Sequence, residues 1–561
     1  MNPKQEIINL LKKVGVKKPE LSIPPDPNLG DFALPCFKLT KQFKQDPVLI
    51  AKTLAKKIPK TDLIKEVKEV GPYLNFFINK QEFAGSLIKD ILEKKDNYGK
   101  GKAKKEKVMV EFSQPNTHKG FHIGHLRNVC IGDALVRIMR FDGFPVIAAN
   151  YINDTGAHVA KCIWYYLNYA TGNEPKTNKG EWLGKLYTEV VKKLAQNPEL
   201  KEQVEEIHRK IEANDPELIK IWKKTRQWSL DDFNNIYKIL DTKFDVWFYD
   251  NELAEPGKKI VKDLLKKKIA EISDKATIVN LEKYGLDVAL VLKSDGSALY
   301  LTKDFALAEL KFKKHKIDTS IYVVAAEQRL HFQQLFKILE LYGFKQAKKC
   351  YHLSYELVML KEGKMSSRAG NIVLFSELLN DIKQKLVHEV AKRHKDWTQA
   401  QKQQAIDKIA ISAIKFIMIN HENNKVIIFD PVKALAFEGE TGPYIQYAHA
   451  RICSIFKKFG KKTVSKEFNP NTLNTKEEEN LITTLSTFED VIDQAANSYK
   501  PHLFARYMLD LAQSFNEFYH ACPILQADEE TKTARLNLIL AVKQILKTGL
   551  NLLGIEAPVE M

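Results

Sequence analysis

The most constraining stretch of this chain is its first strand–helix–strand run. Val108-Met-Val-Glu-Phe112 reads as a short apolar strand, Gly124 to Phe141 as a helix, and Phe144-Pro-Val-Ile-Ala-Ala149 as a second strand. Strands joined through a helix lie parallel, because antiparallel neighbours need only a tight hairpin while parallel ones need a crossover. This order therefore predicts the opening half of a parallel-sheet nucleotide fold of the α/β class. The alternation resumes with Val288 to Leu292, a helix after Asp304, a strand at Ile321 to Ala325, and a helix from about His331 to Tyr342. Between the two runs, residues 165 to about 290 are highly charged and mostly helical, and they read as an insertion.

The flanks differ in character. Residues 1–100 read as an α+β module, with a turn-rich loop at Leu21–Asp31, a helix-like Pro47–Lys57 and a strand-like Val70–Ile78. The lysine- and glycine-rich run Lys95–Lys107 reads as a solvated connector. Beyond about residue 380 the pattern is all-helical: Phe504, Met508, Leu511, Phe515 and Phe518 recur at spacings of four and three, one apolar helical face. The expected organisation is an N-terminal α+β domain (1–100), a Rossmann-like domain (101–380), a helical connector (381–437) and a C-terminal helical bundle (438–561).

Composition narrows the partners. The 87 Lys and Arg against 70 Asp and Glu give +17 at pH 7. Such an excess fits a polyanionic partner such as a nucleic acid, and it fits a generally lysine-rich composition equally well. At 44% hydrophobic residues the chain is not disordered. No stretch approaches the ~18 apolar residues of a membrane span. The six cysteines are scattered without a C-x-x-C pair, so neither a disulfide framework nor a structural metal site is indicated. With no secretory signal at the start, a cytoplasmic location is expected.

The chain lacks a Walker loop, a G-x-G-x-x-G turn and an H-E-x-x-H helix. It carries instead Pro115-Asn-Thr-His-Lys-Gly-Phe-His-Ile-Gly-His125 between the first strand and helix. His122 and His125 stand one turn apart at a helix start, with Gly124 between them. A helix N-terminus attracts phosphate, glycine permits close backbone approach, and two imidazoles can donate to triphosphate oxygens. By itself the pair also fits two surface histidines or a zinc pair, although nothing nearby completes a zinc site. A second element, Lys364-Met-Ser-Ser-Arg-Ala-Gly-Asn371, follows the strand-like Tyr351–Leu360. It suits a mobile clamp over a pyrophosphate leaving group, or an ordinary basic loop. The two elements in this order are far more specific than either alone.

His122-Ile-Gly-His125 and Lys364-Met-Ser-Ser-Arg368 resemble the HIGH and KMSKS signatures of class I aminoacyl-tRNA synthetases. Within that class, Glu111-Phe-Ser-Gln-Pro-Asn116, Leu299-Tyr-Leu-Thr-Lys-Asp304 and Gly442-Pro-Tyr-Ile-Gln-Tyr-Ala-His-Ala-Arg451 resemble the arginyl-tRNA synthetase family. So do Gly30-Asp-Phe-Ala33 and Gly71-Pro-Tyr-Leu-Asn-Phe-Phe77. The resemblance implies that arginine is activated with ATP and moved to the terminal adenosine of tRNA-Arg, with activation dependent on bound tRNA. A monomer is expected, and with no metal-ligand set visible in the sequence Mg²⁺ is expected to arrive with ATP. A guanidinium is permanently charged and fork-shaped, so its pocket should hold carboxylates, and Glu111 and Asp304 are candidates. By resemblance, Glu111, Tyr300 and Asp304 contact the arginine side chain, Asn116 and Gln328 its α-amino and carboxylate end, and Ser113 belongs to the same set. Taken alone, Asp304 also fits a helix N-cap. The ATP set implied is Pro115, Asn116, His122, Gly124, His125, Lys364, Met365, Ser366 and Ser367.

Two departures from the family pattern stand out. Gln114 occupies a position that is commonly small, and Ser367 replaces the second lysine of KMSKS. Many arginyl enzymes share the latter departure and carry a lysine just before HIGH; here that lysine is Lys119, expected to act with His122, His125 and Lys364 on the phosphates. In the C-terminal bundle, Tyr444, Gln446, Tyr447 and His449 are candidates for contact with unstacked tRNA bases, with at least one tyrosine expected to be core. A synthetase for another amino acid would not need the Glu111, Tyr300 and Asp304 set. A silent tRNA-binding paralogue would be under no chemical demand to keep His122, Gly124, His125 and Lys364.

Overall fold

The computed structural model describes residues 3–22, 24–360, 373–460 and 464–561. The chain opens with α1 (Pro3–Lys13), β1 (Phe32–Pro35), α2 (Thr40–Phe43), α3 (Pro47–Lys57), β2 (Ile64–Val70) and β3 (Tyr73–Ile78). The strands form an antiparallel sheet in the order β1-β3-β2. Helix α3 starts where it does because the Asp46 carboxylate accepts from the Val48 and Leu49 amides, with Pro47 in the first turn. Ile7, Leu11, Ile50, Leu54, Leu74 and Phe76 build this module's own core, which closes at Ile78. Helix α4 (Lys80–Lys94) turns Leu87, Ile88 and Ile91 into the large core shared with the C-terminal helices. The module's own core thus closes at Ile78, whereas α4 packs with the C-terminal helices.

The central region runs β4 (Val108–Glu111), α5 (Ile123–Phe141), β5 (Val146–Ile152), then α6 (Ala157–Tyr165), α7 (Lys179–Gln196), α8 (Lys201–Glu212), α9 (Pro216–Ile239) and β6 (Val246–Tyr249). It continues with α10 (Ala254–Lys266), β7 (Glu271–Ser273), β8 (Ala276–Asn280), β9 (Val288–Leu292), α11 (Tyr300–His315), β10 (Thr319–Ala325), α12 (Arg329–Tyr342), β11 (Cys350–Tyr355) and β12 (Val358–Leu360). Five strands make one sheet in the order β11-β10-β4-β5-β6, every neighbouring pair parallel. The chain moves one way from β4 to β6 and the other way from β10 to β11. The strand order thus reverses between β4 and β10, and the crevice beyond their carboxyl ends is where such sheets take their ligands.

Two sequence expectations change here. Strand β6 lies inside the expected 165–290 insertion yet joins the main sheet at its edge, so the helical excursion is α6–α9 alone. Strand β9, expected to resume the parallel alternation, pairs antiparallel with β8 in a separate three-stranded sheet. Its burial explains why: Ala289 and Val291 are buried while Val288 and Leu290 are exposed. A strand inside a covered parallel sheet is buried on both faces, as all four residues of β4 are.

The remainder comprises α13 (Phe375–Arg393), α14 (Gln399–Ile419), β13 (Ile427–Phe429), α15 (Pro431–Ala434), α16 (Gly442–Phe459), α17 (Lys476–Ser486), α18 (Phe488–Ser498), α19 (Pro501–Ala521) and α20 (Glu529–Leu552). The face read from Phe504 to Phe518 is fully buried. The bundle is tied to the sheet domain by buried charge. Lys415 of α14 donates to the carbonyls of Leu240 and of Gly554 (2.9 Å), and lies 3.5 Å from Asp133 of α5. Among the described residues no helix is long and apolar enough to cross a membrane.

Candidate active site

Beyond β4 the backbone is forced into an unusual path. Ser113, Gln114 and His118 all adopt positive φ (80°, 42° and 62°), a region that non-glycine residues enter only when their surroundings hold them there. The Ser113 amide donates to Asn128 Oδ1 (2.7 Å), and the Gln114 amide to Asn150 Oδ1 (3.2 Å). The His118 amide donates to Ser229 Oγ (2.9 Å), while its ring is hydrogen-bonded to Thr225 Oγ1 (2.8 Å). The loop is thus stapled to α9 of the helical excursion before it reaches the histidine pair.

His122 caps α5. Its Nδ1 accepts from the Gly124 amide (3.1 Å), and His125 Nδ1 accepts from the His122 amide (3.3 Å). Each Nδ1 is therefore a lone-pair acceptor and each ring carries its proton on Nε2. Burial pushes His122 down to about 4, helped by the charge of Lys119. Burial, His122 and Lys119 hold His125 well below the usual imidazole range. The pair is neutral at physiological pH and offers two N–H donors, with ring centroids 3.8 Å apart. Gly124 gains a second reason: a Cβ there would stand 2.9 Å from His122 Cε1 and 3.0 Å from Nδ1. Lys119 lies beside the pair with Nζ 4.9 Å from the centre of the Tyr187 ring, and burial followed by repulsion from Lys161 lowers its pKa.

Lys364, Met365, Ser366 and Ser367 lie outside the described residues, but both flanks of their segment are tied to α5. Arg127 donates to the carbonyls of Glu356 (2.5 Å) and Leu357 (3.3 Å) on the entry side. On the exit side the Ile123 amide donates to Val373 O (3.2 Å) and the Phe375 amide to Phe121 O (2.9 Å). The described residues on either side of that segment thus both reach the start of α5.

Among the described residues, four carboxylates near the carboxyl ends of these strands and at α11 bear on the pocket. Glu111, at the end of β4, lies 2.5 Å from Lys311 Nζ, itself fully buried and 3.7 Å from the centre of the Tyr322 ring. Glu111 Oε1 also accepts from Gln114 Nε2 (3.1 Å), so the unusual glutamine braces it. Asp154, after β5, pairs with Arg226 at 2.7 Å, and Asp250, after β6, pairs with Lys303. Of these four, only Asp304 holds an imidazole instead of a permanent cation: His331 Nε2 lies 2.6 Å from its Oδ2. Asp304 sits in the second turn of α11, whose N-cap is Leu299, so it is not the helix cap. Tyr300 begins that helix. Its hydroxyl accepts from Asn153 Nδ2 (3.0 Å), which also donates to Asn116 Oδ1 (2.8 Å) and so links Tyr300, Asn153 and Asn116. Gln328 ends the turn after β10 and is exposed. Pro115 is buried, its carbonyl accepting from the Asn153 amide (3.2 Å).

Ser113 stands apart from this set. Its hydroxyl is bonded to Tyr237 OH (2.6 Å) and the residue is 1% exposed, because the left-handed turn directs it into the protein. Sequence reasoning does not reach Lys311, Lys303, Arg226 or His331. The signal for Lys311 is a lysine on the face otherwise marked by Phe305, Ala308 and Phe312.

A second concave site lies in the C-terminal helices, a cavity of about 740 Å³. His394 and Trp397, in the turn before α14, stack at 3.7 Å and line one side. Arg451 lies 4.6 Å from the Tyr447 ring centre and 4.9 Å from that of Tyr519, and donates to Tyr447 OH (3.1 Å) and Asn516 Oδ1 (2.9 Å). Of the residues expected to contact RNA, only Tyr447 lines this cavity. Gln446 is fully buried, donating to Glu556 O (2.8 Å), and His449 donates to Pro558 O (2.8 Å) while burial lowers it to about 4. Tyr444 packs against the core. A spacing of three places Gln446 and His449 on the helix face that clasps the C-terminal tail.

Comparison with known proteins covers nearly the whole chain. Residues 87–430 match the family described as tRNA synthetases class I (R), catalytic domain; residues 445–561 match the DALR anticodon binding domain, and residues 2–78 the arginyl tRNA synthetase N terminal domain. The arginine–tRNA ligase of Bdellovibrio bacteriovorus is 38% identical over 96% of this chain and 93% of its own length. That of Clostridioides difficile is 37% identical over 96% and 95%. The solved arginyl-tRNA synthetase of Thermus thermophilus superposes with a TM-score of 0.82 over 99% of both chains, at 29% identity.

Proposed function

Because the chain belongs to the arginyl-tRNA synthetase family and is an ATP-dependent arginine–tRNA ligase, we propose the following roles for its residues. An arginine carboxylate oxygen attacks the α-phosphorus of ATP, and the bond to the β,γ-pyrophosphate breaks. The 2′-hydroxyl of the terminal adenosine of tRNA-Arg then attacks the arginyl carbonyl, loses its proton and expels AMP. Neither step needs an enzyme nucleophile, so rate comes from positioning and from donors aimed at developing charge. His122 and His125 donate Nε2–H to phosphate oxygens, and their neutral state lets them do so without holding the product anion too tightly. Lys119 supplies the cation that Ser367 does not, acting with Lys364 on the departing pyrophosphate. Pro115, Asn116, Gly124, Met365 and Ser366 shape the nucleotide's seat. Mg²⁺ enters with ATP as part of the substrate.

The observation that carries the arginine pocket is the charge arrangement of the crevice. Glu111, Asp154 and Asp250 each hold a cation, which leaves Asp304 as the carboxylate open to a guanidinium. Tyr300 borders it, Glu111 closes the floor, and Asn116 with Gln328 takes the α-amino and carboxylate end. Bases of the tRNA stack in the cavity of Tyr447, Arg451 and Tyr519, since aromatic faces beside a guanidinium suit unstacked bases. The N-terminal module touches the tRNA's outer corner. The enzyme works as a cytoplasmic monomer, and activation waits for tRNA. ATP–pyrophosphate exchange with each of the twenty amino acids, with and without tRNA-Arg, tests this reading. Exchange should occur with arginine and only with tRNA present; robust exchange without tRNA rejects the dependence.

A further inference from the structure

We propose that His331 is a positioning residue of the arginine pocket, holding the Asp304 carboxylate in the orientation that receives the substrate guanidinium. The inference rests on the pocket assigned above and goes beyond it to a residue outside that set. An ionised carboxylate can only accept, so the 2.6 Å contact requires His331 Nε2 to carry the proton and donate it to Asp304 Oδ2. One oxygen is thereby held, and the other remains for the substrate fork.

The imidazole is itself held. His331 is the third residue of α12, so the carboxyl end of β10 sets its place. Its ring stands edge-on to Phe332 at 5.3 Å and 85°. Phe332 is buried and lies over His352 at 4.5 Å, and His352 Nε2 donates to Val324 O (2.9 Å). Donor, ring backing and strand thus form one continuous support reaching from β10 to the pocket. The side chains of His331 and Asp304 are 23% and 13% exposed, which leaves the pair reachable at the mouth of the pocket.

The residue type follows from the neighbouring carboxylates. A lysine or arginine at this position would neutralise Asp304 as Lys311 neutralises Glu111, and the guanidinium would meet a carboxylate already satisfied. Histidine supplies a directed donor without a permanent charge. A donor of this kind orients the acceptor without the permanent charge that lysine or arginine would bring.

The test compares His331→Gln, His331→Ala and His331→Lys, alone and with Asp304→Asn, by steady-state aminoacylation with saturating tRNA. Asp304→Asn should raise KM for arginine about a hundredfold or more, the scale for breaking a charge pair. His331→Ala should raise it about tenfold, the scale for one hydrogen bond to a charged group. His331→Gln, which keeps a neutral N–H donor, should recover most of that loss, and His331→Lys should be worse than alanine. KM for ATP should stay within about twofold throughout, and His331→Ala should add little in the Asp304→Asn background. A merely structural role would not produce glutamine rescue together with lysine harm. If Asp304→Asn leaves KM for arginine unchanged, the pocket itself is misassigned and the inference falls with it. If Asp304→Asn has its effect but His331→Ala stays within about twofold of wild type, or lysine is tolerated as well as glutamine, only the role of His331 is overturned.

Discussion

Replacing Gly124 by alanine should uncouple catalysis from stability, and the structure sets both magnitudes. The new Cβ would stand 2.9 Å from His122 Cε1 and 3.0 Å from Nδ1, closer than carbon and nitrogen tolerate. The imidazole is the mobile partner, so it turns while the helix stays. It cannot turn toward His125, whose ring centre is 3.8 Å away. Turning away breaks the bond from the Gly124 amide to Nδ1, a cap worth about 1 kcal/mol. Alanine in place of glycine in a helix returns a similar ~1 kcal/mol, so the fold should keep its stability to within about 1 kcal/mol. The catalytic loss does not cancel. Moving one preorganised donor off a phosphate oxygen costs about 2.7–4 kcal/mol, or roughly 10²- to 10³-fold in rate. Single-turnover formation of arginyl-adenylate with tRNA bound reads this directly, with KM for arginine as the control that should not change. Wild-type activation by a folded Gly124→Ala enzyme would refute the argument that the His122 ring, placed by this glycine, serves the reaction.

Three further outcomes follow from the same geometry. Lys119→Ala should slow adenylate formation by about two to three orders of magnitude with little effect on tRNA affinity, and Ser367→Lys in that background should restore part of the rate; wild-type single-turnover activation by Lys119→Ala would make it a bystander. Burial holds His118 at about 3 and His122 and His449 at about 4, so the unfolded chain, with imidazoles near ~6.5, binds more protons between those values. Their stabilising contribution is complete above pH ~6.5 and is lost as pH falls toward 4. Asp154 and Asp232, raised to about 6 by burial, act oppositely, contributing below their ordinary ~3.9 and losing it as pH rises through 6. Denaturant unfolding at pH 5, 6 and 7 should show stability increasing with pH, and a slope that steepens in Asp154→Asn; a falling slope in the wild type would contradict the balance. Arg451→Ala should weaken tRNA binding about tenfold and reduce its salt dependence by roughly one ion, with activation at saturating tRNA preserved. Unchanged affinity would remove the cavity from the tRNA path.

Several features were legible because they are local. The apolar run Val108–Glu111 and the helix from Ile123 follow from backbone preference and burial on a scale of a few residues. The spacing of His122 and His125 put both rings at one helix start, and the spacing from Phe504 to Phe518 marked a face that the fold buries completely. What local pattern carries no record of is which charges cancel. Glu111 and Asp304 look alike in sequence, yet one meets Lys311 and the other His331, because helices α11 and α12 pack over the ends of β4 and β10. The same holds for Gln446 and Tyr447, adjacent residues of which one clasps the tail at Glu556 and the other opens onto a cavity completed by Trp397 and Tyr519. Strands β6 and β9 exchanged their expected places for a related reason: strand propensity is set within a residue or two, but the partner edge is supplied by chain a hundred residues away in β5 or just beside it in β8. Residue type and local period decided which groups stand at the ends of the elements. Long-range packing decided which of those groups are already satisfied and which are left to meet a substrate.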